Sequence, residues 1–269
     1  MKDLNTKNPN TWCPGCFNFQ ILAAMKNVLS KEEKETAIVS GIGCHAKIFD
    51  YINLPGVNAL HGRVIPTILG LKTGNPNLQI LGFSGDGDAY AEGMEHLIHI
   101  ARLNPNIKYI VHNNQVFALT VGEPTPVTEE GFKDKTTPLG VKYPPLNPIK
   151  LMLAANASFV ARVFADVKQI EEVLKAALNH KGFAFIEVIQ PCLIFHPDKG
   201  LKERTYQIED HNPKDIEKAM KWADEFNYEN NNKIPLGIFY KKERPTFEEV
   251  NPQLKTLLDN KTSWKDIKR

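Results

Sequence analysis

Four cysteines are the residues of this chain whose type and spacing first suggest chemistry. Cys13 and Cys16 form a Cys-Pro-Gly-Cys pair, Cys44 ends a Gly-Ile-Gly-Cys segment, and Cys192 follows a Gln-Pro dipeptide. Disulfides are rare in large domains of reducing compartments, so two bridges are disfavoured. The spacing leaves three interpretations open: a metal or cluster site, a redox-active pair, or ordinary buried thiols.

A second set of residues has the types that bind a phosphate group and its cation. Gly85-Asp86-Gly87-Asp88 is followed by Asn113-Asn114, with 25 residues between Gly87 and Asn113. Glycines allow the backbone to approach a ligand closely, and the N-terminus of a following helix offers N–H groups to a phosphate. The Asp86 carboxylate, the Asn114 amide oxygen, a backbone carbonyl and two phosphate oxygens would form a near-octahedral Mg²⁺ shell.

Other phosphate-binding motifs fit this segment less well. A dinucleotide fingerprint requires Gly-x-Gly-x-x-Gly, whereas the glycines here are Gly82, Gly85 and Gly87. A P-loop does not occur in the sequence. A Gly-Asp turn with a coincidental Asn-Asn pair is the remaining alternative, and the matching placement of the two motifs after strands makes it the weaker one.

Alternating strands and helices must position both sets of residues. Buried apolar runs and helical spacing predict these elements. The predicted strands are 36–40, 78–84, 107–112, 158–165 and 183–189, and the predicted helices are 17–29, 89–102 and 168–180. This order predicts an α/β fold, with a mostly parallel sheet and helices on both faces. Cys44, Gly85 and Asn114 each follow a strand, so we expect them at the carboxyl edge of the sheet, where such folds bind ligands.

The later part of the chain has a different character. Residues 116–150 contain six prolines and little periodicity, and a loop of that length is more often functional than not. Residues 201–269 are more charged, with a predicted helix at 213–226 and a predicted strand at 235–240. We therefore expect residues 1–200 to form the ligand-binding domain. Residues 201–269 would form a C-terminal extension that packs on this domain or on a partner.

The composition argues against several classes of function. The 269 residues carry 33 basic and 31 acidic side chains, a formal charge of +2, so the basic surplus of a nucleic-acid-binding protein is missing. No apolar run approaches the ~20 residues of a membrane span, and the first residues lack the apolar stretch of a signal peptide. The sequence predicts a cytoplasmic protein that binds neither nucleic acid nor membrane.

Taken together, the motifs resemble those of a known family. The chain resembles the beta subunit of the 2-oxoacid:ferredoxin oxidoreductases, which bind thiamine diphosphate. The segments that carry the resemblance are Trp12-Cys-Pro-Gly-Cys16, Gly41-Ile-Gly-Cys44, His61-Gly-Arg63, Gly85-Asp-Gly-Asp88, Asn113-Asn114, Thr136-Thr-Pro138, Gln190-Pro-Cys192 and Pro235-Leu-Gly-Ile-Phe-Tyr240. They occur in the order of the family and run nearly from end to end of the chain.

The resemblance implies thiamine diphosphate, Mg²⁺ and a [4Fe–4S] cluster as cofactors. Side chains of Asp86 and Asn114 and the carbonyl of Val116 would hold Mg²⁺, and the four cysteines would hold the cluster. The implied cofactor-binding residues are Cys13, Cys16, Cys44, Cys192, His61, Gly85, Asp86, Gly87, Asp88, Asn114 and Val116. Zinc is the alternative for four cysteines, but separations of 28 and 148 residues to the third and fourth fit a compact zinc module poorly.

The resemblance also implies an activity and partners. Members of the family decarboxylate a 2-oxoacid, pyruvate or 2-oxoglutarate foremost, form acyl-CoA from coenzyme A, and pass electrons through the cluster to ferredoxin. Lys47 would hold the substrate carboxylate, and Thr120 would face cofactor and substrate. The glutamate that activates thiamine comes from another chain or domain of the complex. We therefore expect an alpha subunit, or alpha, gamma and delta subunits, as partners.

Two alternatives to this function stay open at the level of sequence. A subunit of a non-oxidative thiamine diphosphate-dependent decarboxylase would share Asp86 and Asn114 but would not need the cysteines. A non-catalytic electron-transfer or zinc-stabilised module would need the cysteines but not the Gly-Asp-Gly and Asn-Asn pairing. Each alternative leaves one of the two sets of residues unexplained.

Overall fold

The computed structural model describes residues 1–197, 200–209, 211–229 and 232–266. Within these ranges the chain forms ten strands and ten α-helices. The strands are β1 (Thr36–Ser40), β2 (Gly56–Asn58), β3 (Gln79–Gly85), β4 (Lys108–Asn113), β5 (Val116–Phe117), β6 (Glu123–Pro124), β7 (Phe159–Phe164), β8 (Ala184–Ile189), β9 (Thr205–Gln207) and β10 (Ile234–Lys241). The helices are α1 (Asn18–Leu29), α2 (Ile48–Tyr51), α3 (Val64–Gly74), α4 (Asp86–Tyr90), α5 (Met94–Leu103), α6 (Pro148–Ala154), α7 (Val167–Leu178), α8 (Ile216–Glu225), α9 (Phe247–Val250) and α10 (Pro252–Asp259).

Eight strands form one twisted sheet in the order β2-β1-β3-β4-β8-β7-β10-β9. Neighbouring strands from β2 to β7 are parallel, β10 is antiparallel to β7, and β9 is parallel to β10. The short strands β5 and β6 form a separate antiparallel pair. This architecture confirms the predicted α/β class with a mostly parallel sheet.

Helices cover both faces of the sheet, and the strands are apolar on both sides as a result. Ile38 packs in a core with residues of α1, α2 and α7, whereas its neighbour Val39 packs in a second core with residues of α3, α5, α6 and α8. Every residue of β1, β4, β7 and β8 is buried. Parallel strands between two helical layers read as continuous apolar runs for this reason.

The predicted helix 89–102 is wrong in its bounds, because two helices occupy this segment. Helix α4 begins at Asp86 and ends at Tyr90, and α5 begins only at Met94. A loop packs against the break between them: the Arg63 guanidinium donates to the carbonyl of Glu92 at 3.0 Å. A Cβ added to Gly62 would lie 2.4 Å from that backbone. Gly85 is the last residue of β3, and Asp86, Gly87 and Asp88 form the first turn of α4 instead of preceding a helix.

The remaining segments extend this framework. Residues 116–150 contain the β5–β6 hairpin and the start of α6, which Asn147 caps by accepting from the Lys150 N–H at 3.1 Å. The predicted strand 235–240 is the centre of β10, and α8 packs against it. The division into residues 1–200 and 201–269 stays a prediction, but the later segment adds two strands to the same sheet. Among the described residues, no helix has the length and apolar character needed to cross a membrane.

Candidate functional site

The carboxyl ends of β1, β3 and β4 border a cleft of about 520 Å³. The order of the sheet reverses between β1 and β3, since the chain continues from β1 to β2 on one side and to β3 on the other. Ligands of open α/β sheets bind at such a reversal. The three residues predicted to bind Mg²⁺, Asp86, Asn114 and Val116, all line this cleft.

Asp86 is buried at the base of the cleft. Its Oδ1 accepts a hydrogen bond from the backbone N–H of Asn114 at 3.1 Å, and its Oδ2 accepts one from the Thr125 hydroxyl at 2.5 Å. Burial raises the pKa of Asp86 to about 7, although these hydrogen bonds act in the opposite direction. A buried carboxylate is costly to ionise unless a cation offsets its charge, so this position suits a divalent cation.

The turn after β4 presents two neutral oxygens beside this carboxylate. Asn114 Oδ1 accepts from the Val116 N–H at 3.0 Å, and the Val116 carbonyl accepts from the Ala118 N–H at 2.9 Å. Each oxygen has a second lone pair for a cation. No cluster of three or more His, Cys, Asp or Glu side chains suited to a metal ion occurs in the described part of the chain. One carboxylate with two neutral oxygens is a different donor set, and it is typical of a hard cation that keeps phosphate or water ligands.

Asp88 joins two loops at the other side of the cleft. Its Oδ1 accepts from the backbone N–H of Gly62 at 2.7 Å and from that of Ile42 at 3.4 Å. The predicted diphosphate contact His61 also lines the cleft, and its Nδ1 lies 3.3 Å from Asp88 Oδ1 and 3.1 Å from Glu92 Oε2. The Asp88 carboxylate thus joins the loop that carries His61 to the loop that carries Ile42 at the edge of the cleft.

Close packing explains both glycines of the Gly-Asp-Gly segment. A Cβ on Gly87 would lie 2.1 Å from the ring of Phe117, and a Cβ on Gly85 would lie 2.9 Å from the imidazole of His45. Neither glycine has a positive φ, so the backbone conformation does not require glycine at either position. The close contacts do, because they leave no room for a side chain. The two glycines let α4 approach β5 and the loop after β1.

A buried polar network supports the Asn113-Asn114 turn from below. Asn113 Nδ2 donates to Glu187 Oε1 at 2.9 Å and to the Tyr228 hydroxyl at 2.8 Å, and its Oδ1 accepts from the Gln115 N–H at 3.2 Å. The Tyr228 hydroxyl donates to Glu187 Oε1 at 2.6 Å, and Arg162 Nε donates to Glu187 Oε2 at 2.7 Å. Burial and the Glu187 carboxylate raise the pKa of Tyr228, so the hydroxyl stays protonated as a donor. The network anchors the residue directly before Asn114.

The four cysteines line a second cavity of about 600 Å³. All four are free thiols. Burial raises the pKa of Cys44 to about 11 and also raises that of Cys16, and the neighbouring cysteines add smaller effects of the same sign. The four thiols share the lining of one cavity, but in the described residues no three of them are placed as the ligands of a metal ion. The Trp12 indole N–H donates to the Cys44 carbonyl at 2.7 Å and so joins the first and third cysteine segments.

The two cavities are neighbours with a common wall. Cys44, Asn114, Ala118 and Gln190 line both of them. Cys44 and Asn114, which are 70 residues apart in the sequence, therefore each contact both cavities. The structure therefore brings the cysteines and the residues of the Gly-Asp-Gly-Asp and Asn-Asn motifs together at one edge of the sheet.

The two predicted catalytic residues lie on different cavities. Lys47 lines the cysteine cavity, and its Nζ donates to the Thr11 carbonyl at 3.3 Å. Thr120 lines the cofactor cleft, and its hydroxyl lies 3.0 Å from the Phe117 carbonyl and 2.5 Å from Glu123 Oε2. A substrate that touches both residues must extend across the common wall.

Sequence reasoning missed several residues of the site. Thr125, which bonds Asp86, lies in the stretch 116–150 that has no periodic pattern. Tyr228 reaches Glu187 from beyond α8, and the Asn18 side chain hydrogen-bonds His112. Asn18 lies two residues after Cys16, so among these missed residues it is the one that stands next to a recognisable motif. The others depend on tertiary contacts that no motif records.

Two family descriptions match this chain. Residues 41–188 match the family described as "Thiamine pyrophosphate enzyme, C-terminal TPP binding domain". Residues 199–256 match the family that describes the C-terminal part of the pyruvate ferredoxin oxidoreductase beta subunit. The first match contains every residue that lines the cleft between the ends of β1, β3 and β4 except Gln190, and the second covers β9 and β10.

Individual relatives agree with these matches. A protein of Saccharolobus solfataricus named "2-oxoacid:ferredoxin oxidoreductase subunit beta" is 36% identical over 93% of this chain and 88% of its own length. The "2-oxoglutarate synthase subunit KorB" of Archaeoglobus fulgidus is 39% identical over 68% of this chain and 70% of its own. A solved structure of the 2-oxoglutarate:ferredoxin oxidoreductase from Magnetococcus marinus, with 2-oxoglutarate, coenzyme A and succinyl-CoA bound, superposes with a TM-score of 0.89. It is 30% identical and covers 96% of this chain and 90% of that one.

Proposed function

Because this chain belongs to the beta subunits of the 2-oxoacid:ferredoxin oxidoreductases, we propose that its complex oxidatively decarboxylates a 2-oxoacid at the two cavities. One 2-oxoacid, one coenzyme A and two oxidised ferredoxins would yield acyl-CoA, CO₂, one proton and two reduced ferredoxins. The oxidoreductase family accounts for both sets of residues, which neither a non-oxidative decarboxylase nor a non-catalytic module does. We propose 2-oxoglutarate as the substrate to test first, because relatives from two organisms are named for it; pyruvate is the alternative.

The observation that carries this proposal is the common wall of the two cavities. An enzyme that removes electrons from a thiamine-bound substrate needs its acceptor beside the cofactor. Cys44 and Asn114 border both cavities, so a cluster held by the cysteines would lie next to a cofactor held by the asparagine turn. A thiamine enzyme without an electron acceptor has no use for this arrangement.

At the cofactor cleft the chain's own residues would bind and orient. Asp86, Asn114 and the Val116 carbonyl would hold Mg²⁺ against the diphosphate, while Gly85 and Gly87 keep the approach clear and Asp88 fixes the flanking loops. When bound, thiamine diphosphate supplies the carbanion that adds to the keto carbon and the electron sink that lets CO₂ leave. His61 would contact the diphosphate from its loop.

At the cysteine cavity the thiolates of Cys13, Cys16, Cys44 and Cys192 would hold a [4Fe–4S] cluster. A cluster of this type accepts and releases one electron at a time, which suits transfer to ferredoxin. Cys13 is exposed, so one corner of the cluster would approach solvent where a partner can dock. Lys47 would pair with the carboxylate of the substrate at the wall, and Thr120 would contact cofactor and substrate from the other side.

The rim of the two cavities supports a closely bound partner protein. Apolar side chains on this rim are exposed, among them Ile42, Leu119, Leu193 and Ile194, the last with 62% of its surface accessible. Adjoining exposed apolar residues mark protein interfaces. We propose that an alpha subunit, or a set of alpha, gamma and delta subunits, covers the rim and brings the glutamate that activates thiamine.

Anaerobic purification of the complex tests this function. We expect about four iron atoms per beta chain beyond those of any other cluster-bearing chain, and loss of that iron in Cys44→Ser. The same preparation should reduce ferredoxin with 2-oxoglutarate and coenzyme A and with Mg²⁺ and thiamine diphosphate present. Pyruvate, branched and aromatic 2-oxoacids are the comparison substrates.

A colourless, zinc-containing complex would contradict the oxidoreductase mechanism. Activity of the isolated chain on a 2-oxoacid with an artificial acceptor would contradict the need for a partner.

Lys242→Ala, a change distant in sequence from both cavities, is the matched control for Lys47→Ala. The Lys47 variant should raise the KM for the 2-oxoacid while the control should not.

A further inference from the structure

Gln115 lies between the two residues of the turn after β4 that offer neutral oxygens to a cation, Asn114 and Val116. Its side chain is buried. Its backbone has a positive φ of 63°, a conformation that costs energy in residues other than glycine. A change at this residue would move both oxygens at once. The position of the two oxygens therefore depends on the contacts that hold Gln115.

The segment 125–129 holds Gln115 by its backbone and by its side chain. The Thr128 hydroxyl donates to the Gln115 carbonyl. Gln115 Nε2 donates to the Val127 carbonyl at 3.0 Å and to Glu129 Oε2 at 3.4 Å. A backbone carbonyl and a carboxylate therefore share the NH₂ group of one buried amide.

His196 holds the same oxygen of Glu129 from another segment of the chain. Its Nε2 lies 2.8 Å from Glu129 Oε2, and because a carboxylate can only accept, this ring nitrogen carries the hydrogen. The ring packs against that of Phe132, with 5.2 Å between centroids. The backbone N–H of His196 donates to the Cys192 carbonyl at 3.0 Å and closes a short turn. The imidazole is thus fixed by packing and by its backbone, and it can fix the carboxylate in turn.

Burial distinguishes this pair from the ion pairs on the surface. The side chains of His196 and Glu129 are 4% and 23% exposed, whereas those of Lys150 and Asp224 are 44% and 61% exposed. Exposed pairs contribute little, because water screens them and both side chains lose freedom. A hydrogen bond to a charged oxygen away from water is stronger and more specific in its geometry. The buried pair is therefore suited to hold an orientation.

From these contacts we propose that Glu129 and His196 are positioning residues of the cation site, and that they act through Gln115. The connection runs from the ring to the carboxylate, from there to the buried amide, and so to the two oxygens of the turn. This inference rests on the proposed function, since it requires Mg²⁺ at the turn. Changes to residues that hold the ligands of a metal typically weaken its binding about 10- to 100-fold.

Substitutions in the complex separate a positioning role from an effect of charge. Glu129→Ala removes the acceptor, whereas Glu129→Gln keeps an oxygen that can accept from both neighbours but carries no charge. His196→Phe removes the ring N–H and keeps an aromatic ring against Phe132, and His196→Gln returns an N–H donor near the position of Nε2. Glu130→Ala is the matched control, since it removes an exposed carboxylate from the next residue.

The measurement is the affinity of each complex for Mg²⁺ and for Ca²⁺, by calorimetric titration with thiamine diphosphate present after a chelator has removed divalent cations. Mg²⁺ requires near-octahedral geometry, whereas Ca²⁺ tolerates flexible coordination. We expect Glu129→Ala and His196→Phe to weaken Mg²⁺ binding about tenfold and Ca²⁺ binding by a smaller factor. Glu129→Gln, His196→Gln and Glu130→Ala should stay close to the unmodified complex.

Unchanged Mg²⁺ affinity in Glu129→Ala or in His196→Phe overturns this inference and leaves the proposed function standing. Equal losses of Mg²⁺ and Ca²⁺ affinity also overturn it, because a general defect of the site would explain both. A Glu129→Gln complex as weak as Glu129→Ala overturns it as well, since charge and not position would then be responsible. Absence of Mg²⁺ binding in the unmodified complex overturns the proposed function and this inference with it. If Glu129→Ala does not fold, the two His196 variants decide.

Discussion

At the scale of single residues, the site contains acidic groups whose charged forms are energetically unfavourable in the absence of a bound cation. Asp86 is a buried carboxylate with a raised pKa, and Cys44 is a half-buried thiol with a raised pKa. In both cases burial is the main cause, and in both cases a bound cation would reverse the effect. The sequence identified these residues by type and spacing. It could not supply their burial, which depends on Thr125, Gln190 and other residues from distant segments.

Asp86→Asn should separate metal binding from folding. The amide keeps the shape: its oxygen can accept from the Asn114 N–H, and its NH₂ group can donate to the Thr125 hydroxyl, which can also act as an acceptor, while the change removes the charge that attracts Mg²⁺. We expect the affinity for Mg²⁺, measured with thiamine diphosphate present, to fall by about 100-fold or more. The melting temperature of the metal-free chain is the second measurement, and it should change little. Asp224→Asn, on the surface beside Lys150, is the control and should leave metal affinity unchanged.

His180 should make the fold sensitive to mild acid. Burial, with smaller contributions from Lys108 and Lys241, lowers its pKa to about 3, so the folded chain keeps it neutral. The unfolded chain protonates it near pH 6.5, and binds more protons than the folded chain between pH 6.5 and 3. Stability from this residue is therefore present above pH 6.5 and lost as the pH falls.

The change that tests this is His180→Gln. Between pH 7 and pH 5 the unmodified chain should lose about 2 kcal/mol more free energy of unfolding than the variant, by urea titration at each pH. His99→Gln replaces an exposed ring and should follow the unmodified chain. Parallel pH profiles for all three proteins would show that His180 does not control acid sensitivity.

At the scale of elements, prediction succeeded where one segment determines its own structure. Strands β1, β3, β4, β7 and β8 were predicted because burial on both faces gives continuous apolar runs. The break between α4 and α5 was not, because it follows from a loop about 30 residues earlier that packs on Glu92. The same holds for the turn after β4, whose support comes from Tyr228 beyond α8. Local patterns cannot record a contact with a distant part of the chain.

The contact of Tyr228, which follows α8, with the Asn113-Asn114 turn should affect both stability and metal binding. Tyr228→Phe removes a hydroxyl that bonds Glu187 and Asn113 while it leaves the ring in place. We expect a loss of roughly 2 kcal/mol in the free energy of unfolding, since the bond involves a buried charge. We also expect severalfold weaker binding of Mg²⁺, because Asn113 precedes Asn114.

Tyr206→Phe is the matched control for this change. It removes a hydroxyl that donates to Glu225 at 2.7 Å in the same C-terminal segment, without contact to Asn113. Both variants remove a hydrogen bond and should lower stability, so metal affinity is the deciding measurement. Equal effects of the two changes on Mg²⁺ binding would show that the network does not position the turn.

At the scale of the whole molecule, the C-terminal segment is part of the main sheet. Strand β10 pairs with β7, and the fully buried Arg162 of β7 lies under the rings of Phe226, Tyr228 and Phe239. The sequence indicated an extension that packs on the domain or on a partner. It could not show that this extension completes the sheet, because a single edge pairing has no signature in composition or periodicity.

Deletion of residues 201–269 should therefore prevent independent folding of residues 1–200. The deletion exposes the edge of β7 and removes the aromatic cover of a buried charge, which leaves an aggregation-prone edge. We expect insoluble material or a loss of cooperative thermal unfolding by circular dichroism. Deletion of residues 263–269 is the control and should retain a cooperative transition. A soluble, cooperatively unfolding 1–200 fragment would instead support the predicted domain division.

Cys44, Asn114, Ala118 and Gln190 line both cavities, so under the proposed function the loading of the two cofactors would be coupled. The cofactor that binds first would order residues that the second one also contacts, and each should then strengthen the binding of the other by the same factor. A complex stripped of iron should then bind thiamine diphosphate more weakly than the intact complex. Assembly of this enzyme would accordingly proceed by mutual reinforcement, and loss of either cofactor would promote loss of the other.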